Sequence, residues 1–161
     1  MAKTKASDGE KTLLQNRRAK FDYALEQRFE AGMVLVGSEV KSLRAGTGDL
    51  TDAWASLERD GVYLKNMTIQ PLPHQTAFVH EPRRPRKLLL HAREIEELRK
   101  GIERGGMTIV PLRVYLKGGY VKIEIALAKG KTKGDKRDSI RSREAEREAR
   151  SAIARGRKGY D

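Results

Sequence analysis

The last 31 residues of the chain cannot contribute to a hydrophobic core, and this limits the fold more than any other feature. From residue 131 to the end, the large apolar residues are Ile140, Ile153 and Tyr160, set among eleven Lys or Arg and six Asp or Glu. The run DKRDSIRSREAEREARSAIAR still favours a helix, because it is rich in strong helix formers and charge pairs. A helix without an apolar stripe has nothing to pack against. We therefore expect residues 131–161 to form a basic, helix-prone tail that is disordered when free and acts on a polyanion.

The charge of the whole chain points to the same class of partner. There are 34 basic and 22 acidic residues, a net charge of +12. Residues 1–20 contribute +4 (six minus two) and residues 131–161 contribute +5 (eleven minus six). Such a chain is attracted to nucleic acid or to an anionic membrane surface. Because no apolar run has the length of a membrane span and the first residues lack a signal-peptide pattern, we expect a cytoplasmic protein with no membrane partner. We also expect a monomer.

Two turn signals predict antiparallel hairpins between short strands. Arg59-Asp60-Gly61 separates AWASLE from VYLKNMTI, and Gly118-Gly119 separates TIVPLRVYLK from YVKIEIALA. Alternation around the second turn assigns the faces. One strand places Val110, Leu112, Val114 and Leu116 on a common face, and the next does the same with Val121, Ile123, Ile125 and Leu127. The opposite face takes Arg113, Lys117, Lys122 and Glu124. An earlier run, MVLVGSEVKSL, is typical of a strand with a bend at Gly37.

One helix is predicted between the strands. In HAREIEELRKGIERGG, Ile95, Leu98 and Ile102 recur at helical spacing, and Gly105-Gly106 ends the run. About six short strands and one helix favour a mainly β fold, a closed antiparallel barrel of the oligonucleotide-binding type with one inserted helix. The predicted organisation is a disordered N-terminus over residues 1–14, an RNA-binding β-barrel body over 15–130, and the tail over 131–161.

The residues that an enzyme or a metal site needs are absent or scattered. The chain has no cysteine, so it has neither a disulfide nor a thiolate metal site. His74, His80 and His91 lack metal-ligand spacing, and the first two are most simply solvent residues in a loop. No nucleophile–base pair is evident. We expect no catalytic residue, no metal and no cofactor.

Cations and aromatic residues instead indicate nucleic-acid binding. A loop with two prolines carries Arg83, Arg84, Arg86 and Lys87, and arginine can fork onto phosphate. Tyr115 and Tyr120 flank the last hairpin beside Lys117 and Lys122. These rings either stack on nucleobases or cover the end of the barrel, and both readings stay open. Glu30 is either the acceptor for a base edge or half of a surface ion pair.

Several long motifs resemble those of one family, the SsrA-binding proteins, also called small protein B. They are NRRAKFDYALEQRFEAGMVLVGSEVKSLRAG, RPRKLLLH, TIVPLRVYLKGGYVKIEIALAKGK and the DKR that starts the tail. The resemblance runs from Asn16 to the final helix. It implies an RNA-binding adaptor for trans-translation, which binds the tRNA-like domain of transfer-messenger RNA and brings it to bacterial ribosomes stalled on messages without a stop codon. There the stalled peptide receives a degradation tag.

The resemblance also implies roles for residues of the body. Glu30 matches the RNA-contact acid of the family's EAG motif, Leu89 the middle leucine of KLLL, and Lys122 the lysine of the last strand. Further phosphate contacts are implied for residues in similar motif positions, namely Asn16, Arg17, Lys41, Arg44, Arg86 and Lys87.

In the tail, the resemblance implies contacts with the ribosome. The small-subunit decoding region is the expected partner, together with elongation factor Tu in the delivery complex. The residues concerned are Gly130, Lys131, Asp135, Lys136, Arg137 and, in the helix that enters the empty message channel, Ile140. The family often has an aromatic residue or a histidine before DKR, where this chain has Gly134, so stacking by that side chain is impossible here.

A general ribosome-associated RNA-binding barrel protein is the alternative from composition alone. It predicts similar affinity for any structured RNA, whereas the adaptor predicts preference for the tRNA-like domain.

Overall fold

The computed structural model of the protein describes residues 9–75, 79–131 and 133–158. The chain divides into two compact units after Gly130, the position at which the sequence analysis ends the body. The first unit is mainly β and antiparallel, as predicted, and the described part of the second is a helix.

Strands make up most of the first unit. The strands are β1 (Glu10–Gln15), β2 (Tyr23–Met33), β3 (Gly48–Asp49), β4 (Trp54–Glu58), β5 (Gly61–Lys65), β6 (Thr68–Ile69), β7 (Arg86–Leu89), β8 (Met107–Lys117) and β9 (Tyr120–Gly130). The helices are α1 (Ala19–Asp22), α2 (Gly37–Arg44) and α3 (Ala92–Glu103) in the first unit and α4 (Lys133–Lys158) in the second.

In the main sheet, neighbouring strands pair in sequence from β8 through β4, β5, β7 and β2 to β9, and β9 pairs back with β8. The order is β1-β8-β4-β5-β7-β2-β9, every pairing is antiparallel, and β9 pairs again with β8. β1 and β4 share the other edge of β8, where β1 pairs along residues 113–117 and β4 pairs at Ile109. β3 and β6 form a separate two-stranded sheet.

Both predicted hairpins and the predicted helix are confirmed. β4 and β5 pair across Arg59-Asp60, and β8 and β9 pair across Gly118-Gly119, whose φ angles of 57° and 82° need glycine. The helix α3 begins after His91 and ends before Gly105-Gly106. It packs closely on β9. The side chain of Leu127 fills the place that a Cβ at Gly101 would take.

Two further helices, α1 and α2, and three strands, β1, β3 and β7, were not predicted. The loop predicted to carry Arg86 and Lys87 is wrong for these two residues, which lie in β7. The run MVLVGSEVKSL is wrong as a single strand, since β2 ends at Met33 and α2 starts at Gly37. Glu39 begins this helix by accepting a hydrogen bond from the backbone N–H of Val36 at 2.9 Å. Disorder up to residue 14 is also wrong for residues 10–14. They belong to β1, which pairs with β8 while Leu13 and Leu14 pack against the core.

A register shift in β8 changes the predicted faces. The pairing of β8 with β9 shifts between Pro111 and Arg113, so the alternation changes phase there. Ile109 and Val114 both lie in the main core, whereas Val110 and Leu112 lie in a second cluster with Ala19 of α1. The single face predicted for the apolar residues of β8 is therefore wrong. The predicted face of β9 is confirmed, since Val121, Ile123, Ile125 and Leu127 all contact the main core.

Candidate nucleic-acid interface

A row of five residues crosses the outer face of the sheet. Gly32 of β2 is the register partner of Leu89 in β7 and of Lys122 in β9. Lys122 is in turn the partner of Tyr115 in β8, which is the partner of Thr12 in β1. Register partners point to the same face. We call this set, Leu89-Gly32-Lys122-Tyr115-Thr12, the outer row.

Glu30 lies beside the outer row on the same face, two residues before Gly32. Its carboxylate accepts a hydrogen bond from the Tyr115 hydroxyl, and Lys117 Nζ lies 3.3 and 3.4 Å from its two oxygens. The hydrogen bond from Tyr115 holds the pKa of Glu30 below its usual value, although burial of the carboxyl opposes this lowering. Lys117 and Lys122 add to the lowering. Glu30 is thus an ionised acceptor held in place by its neighbours.

Tyr115 anchors Glu30 and is not free to stack on a base. The residue is 1 % exposed, and the guanidinium of Arg113 lies 4.0 Å from the centroid of its ring. Arg113 also reaches Glu10 at 3.4 Å and Glu124 at 3.9 Å. The structure therefore supports the covering role for Tyr115. Tyr120, by contrast, is 73 % exposed beside the turn.

The three residues that carry the resemblance most directly converge here. Glu30, Leu89 and Lys122 come from three different strands, and the register places them on one face around Gly32. Leu89 is 55 % exposed, which is unusual for a leucine unless a partner covers it. The face combines an apolar side chain, a cation and an ionised acceptor. An unpaired nucleotide can contact all three of these groups.

Asn16 and Arg17 line a neighbouring groove of about 460 Å³. Asn16 donates from its side chain to the carbonyl of Pro111 at 2.9 Å, which fixes the end of β1 on β8. Arg17 is exposed at the rim. The other charged lining residues are Lys20, Arg28, Arg113 and Glu124. A phosphate fits this mostly basic groove on charge.

Arg86 is a structural residue, so its prediction as a phosphate contact is wrong. It is 0 % exposed, and its guanidinium donates to Glu39 at 2.6 Å, to the carbonyl of Met67 at 2.6 Å and to that of Pro82 at 3.1 Å. Arg84 binds the other oxygen of Glu39 at 2.6 Å. Burial alone would raise the pKa of Glu39, but these hydrogen bonds and that from Val36 hold it below its usual value. The network ties α2 to β7.

His80 is buried next to this network, which corrects its prediction as a solvent residue. Its Nε2 lies 2.7 Å from the carbonyl oxygen of Ile69 and its Nδ1 lies 2.8 Å from the hydroxyl of Ser38. Since a carbonyl only accepts, Nε2 carries the proton and Nδ1 accepts from Ser38.

The other predicted basic contacts lie on α2 and on β7. Lys41 and Arg44 are exposed in the last turns of α2. Lys87 lies on β7 with its ammonium 6.0 Å from the ring of Tyr63. Their roles in RNA binding stay predictions.

Of the residues predicted to contact the ribosome, Gly130 belongs to the first unit and the others to the second. Gly130 ends β9 and Lys131 follows it, while Lys136, Arg137 and Ile140 lie in α4, with Ile140 42 % exposed. The side chain of Asp135 is outside the described residues. The helix covers the run that the sequence favours as helical. Disorder of the tail in free solution stays a prediction.

Within the described ranges, no group of three or more His, Asp or Glu side chains is arranged to hold a metal ion. Likewise, none of the described helices is long and apolar enough to cross a membrane.

The contacts of Tyr115 and Lys117 with Glu30 were not predicted from the sequence. Alternation places Arg113, Tyr115 and Lys117 on one face of β8, and the glycine turn sets Tyr115 opposite Lys122. That local signal was available. The contact between β2 and the hydroxyl of Tyr115 joins residues 85 positions apart, and no local pattern predicts it.

Comparisons with known proteins agree on one family. The family model described as SmpB protein matches residues 13–156. An SsrA-binding protein of Rhizorhabdus wittichii is 50% identical over 151 residues, which are 92% of this chain and 94% of the relative. One from Sorangium cellulosum is 50% identical over 160 residues, 99% of this chain and 98% of the relative. A solved chain from "tmRNA-SmpB: a journey to the center of the bacterial ribosome" is 42% identical with a TM-score of 0.64, and the match covers 81% of this chain and 96% of that chain.

Proposed function

Because this chain belongs to the SmpB protein family, we propose that it is the RNA-binding adaptor of trans-translation. It binds the tRNA-like domain of transfer-messenger RNA through its β body. It then delivers that RNA to bacterial ribosomes that have stalled on a truncated message, where the tail enters the empty message channel. The work takes place in the cytoplasm, where the ribosomes are.

The convergence of Glu30, Leu89 and Lys122 on one exposed face is the observation that carries this proposal. These residues come from β2, β7 and β9, and only the fold brings them together. Their apolar, cationic and acceptor chemistry suits unpaired nucleotides, while the groove at Arg17 suits a phosphate of the same RNA.

The proposal includes the finer architecture of the body. Strand pairings that leave β8 through β4 and return to it through β9 support a closed antiparallel barrel of the oligonucleotide-binding type. The protein works as a monomer beside elongation factor Tu. The family resemblance is the basis for expecting elongation factor Tu. It is an adaptor and performs no catalysis.

A competition assay tests the function. The full chain is bound to labelled tRNA-like domain, and unlabelled competitors are added at physiological salt: the same RNA, a mature tRNA, and an unrelated hairpin RNA of equal length. We expect the tRNA-like domain to compete at least about tenfold better than the hairpin, a difference that needs only one or two specific contacts. Equal competition by all three RNAs would favour the general RNA-binding barrel instead.

A further inference from the structure

A second groove, of about 400 Å³, lies where the edge of β8 passes from one partner strand to the next. β1 pairs with β8 along residues 113–117 and β4 pairs at Ile109, so in the described sheet neither of them pairs with Val110, which lines the groove. The helix α1 and residues 51–54 form the other walls. We call this space the seam groove. Its volume falls within the range of about 300–1,000 Å³ that is common for binding pockets.

Trp54 lines the seam groove and is the only tryptophan of the chain. It is 41 % exposed, although an aromatic side chain of this size gains much from burial. The ammonium of Lys65 lies 5.5 Å from the ring centroid, and Glu58 neutralises that ammonium at 2.6 Å. Tryptophan is enriched among the residues that dominate the affinity of protein–protein interfaces. The ring therefore offers a partner a large contact surface without an uncompensated cation beside it.

Asp52 supplies the charge of the seam groove. The lining cation Arg18 pairs with Asp22 at 3.8 Å, whereas Asp52 is exposed and has no ion pair with any described residue. Asp49 fixes the loop that presents Asp52, because its carboxylate accepts hydrogen bonds from the backbone N–H of Thr51 at 2.9 Å and from the hydroxyl of Thr51 at 2.6 Å. The groove thus presents one carboxylate that lacks a cation.

This charge favours a cationic occupant over RNA. A nucleobase could stack on Trp54, but its phosphate would then approach the carboxylate of Asp52. The neighbouring groove, lined by Arg17 and Lys20, suits a phosphate better. Arginine suits the seam groove, because its planar guanidinium can stack on an aromatic ring and pair with a carboxylate.

We propose that the seam groove binds a basic segment of a partner protein, with one arginine side chain stacked on Trp54 and paired with Asp52. The groove shares no residue with the outer row. The inference therefore goes beyond the proposed function and assigns a second, protein-binding surface to the body.

The fluorescence of Trp54 tests this inference, since no other tryptophan contributes to the signal. The full chain is titrated at physiological salt with a hexa-arginine peptide whose ends are blocked, and separately with hexauridylate RNA. We expect hexa-arginine to give a saturable change in the emission of Trp54, and hexauridylate to give none at the same concentrations. Asp52→Asn should weaken the binding of hexa-arginine about fivefold, the worth of one favourable surface ion pair.

Glu103→Gln is the matched control, because Glu103 is an exposed carboxylate at the end of α3 and does not line the seam groove. It removes the same charge and should leave the affinity for hexa-arginine unchanged. Thermal unfolding should show both variants folded.

Three results would overturn the inference. The first is the absence of a saturable signal with hexa-arginine, and the second is equal affinity in Asp52→Asn and Glu103→Gln. The third is a saturable response to hexauridylate instead, which would assign the groove to RNA. None of these results bears on the competition assay, which judges the proposed function by itself.

Discussion

Glu30 shows how one residue can be ionised, positioned and still available to a ligand. Its carboxylate is exposed enough to meet RNA, yet Tyr115 and Lys117 restrict its orientation. The buried ring of Tyr115 under Arg113 gives the hydroxyl a fixed place. A preorganised acceptor loses less entropy on binding than a mobile one. Tyr115 thus fixes the position of the Glu30 carboxylate, which is the acceptor that the proposed function assigns to RNA.

Tyr115→Phe should raise the pKa of Glu30 toward its ordinary value. The hydrogen bond from Tyr115 is the main cause of the lowered pKa, and phenylalanine keeps the ring while removing the donor. Because the folded pKa of Glu30 is depressed, this bond stabilises the fold above the ordinary pKa of about 4.3. That stabilisation is lost as the pH falls through the depressed value. The measurement is an NMR titration of the Glu30 carboxyl carbon.

Tyr63→Phe is the matched control for that titration. It removes a hydroxyl that donates to Asp60 at 2.6 Å and leaves Glu30 untouched. If Tyr115→Phe titrates like Tyr63→Phe at Glu30, the hydroxyl does not position this carboxylate.

Lys122→Ala and Glu30→Ala should weaken RNA binding with different salt dependence. Removing the cation should reduce the slope of log affinity against log salt by about one. Removing the carboxylate should leave the slope no flatter, because Glu30 releases no counterion. A salt titration of both variants with the tRNA-like domain measures this. The distinction fails if both slopes flatten equally.

At the scale of elements, the buried pair of Glu39 and Arg86 holds α2 against β7. Both side chains are 0 % exposed, and the two residues are 47 positions apart in the chain. Leu89 lies three residues beyond Arg86 on the same strand. The network therefore supports the strand that presents one residue of the outer row.

Glu39→Ala should lower the free energy of unfolding by about 3–5 kcal/mol, because Arg86 would be left as an uncompensated buried charge. Lys41→Ala, on the exposed side of the same helix, should change it by less than about 0.5 kcal/mol. Denaturant unfolding of the two variants gives the comparison. A loss in Glu39→Ala no larger than in the control would mean that the pair contributes no stability.

Ile140→Pro should spare RNA binding and impair tagging. Proline removes a backbone donor within α4 and clashes with the preceding turn. Ile140→Ala is the control, since it removes the apolar side chain and keeps the helix propensity. Gel-shift affinity for transfer-messenger RNA and tag addition on stalled ribosomes are measured on both. Normal tagging by the proline variant would show that the helix is not how the tail acts.

Elements with local signals could be predicted from the sequence, and elements held by distant contacts could not. Gly118-Gly119 and the spacing of Ile95, Leu98 and Ile102 predicted a hairpin and α3 correctly. The helix α2 was missed because the apolar run MVLV directly before it favours a strand, and the bond of Glu39 to Arg86 joins residues 47 positions apart. The bulge in β8 was missed because apolar residues alternate without a break in the sequence on both sides of it.

The candidate site divides in the same way. Glu30, Leu89 and Lys122 followed from the family resemblance, and the register shows that they share one face. Arg86 was misassigned because a sequence cannot tell a buried arginine from an exposed one in a basic run.

At the scale of the whole molecule, the body and the tail differ in net charge and in the kind of surface that they present. Residues 21–130 carry a net charge of only +3 (seventeen minus fourteen), whereas residues 131–161 carry +5. The body offers a shaped, specific face, and the tail offers a basic helix with few apolar residues. If the tail is ordered only by the empty message channel, its ordering entropy is lost only at the correct target. We therefore expect RNA binding and ribosome rescue to be separable functions.

A chain that ends at Gly130 tests this separation most directly. It keeps the first compact unit and every residue of the outer row. The paired measurement is its affinity for the tRNA-like domain and its tag addition on ribosomes stalled at a message end, each against the full chain. We predict an affinity within about threefold of the full chain, under 1 kcal/mol, and no tagging. Equal loss of affinity and of tagging would contradict the division of labour between body and tail.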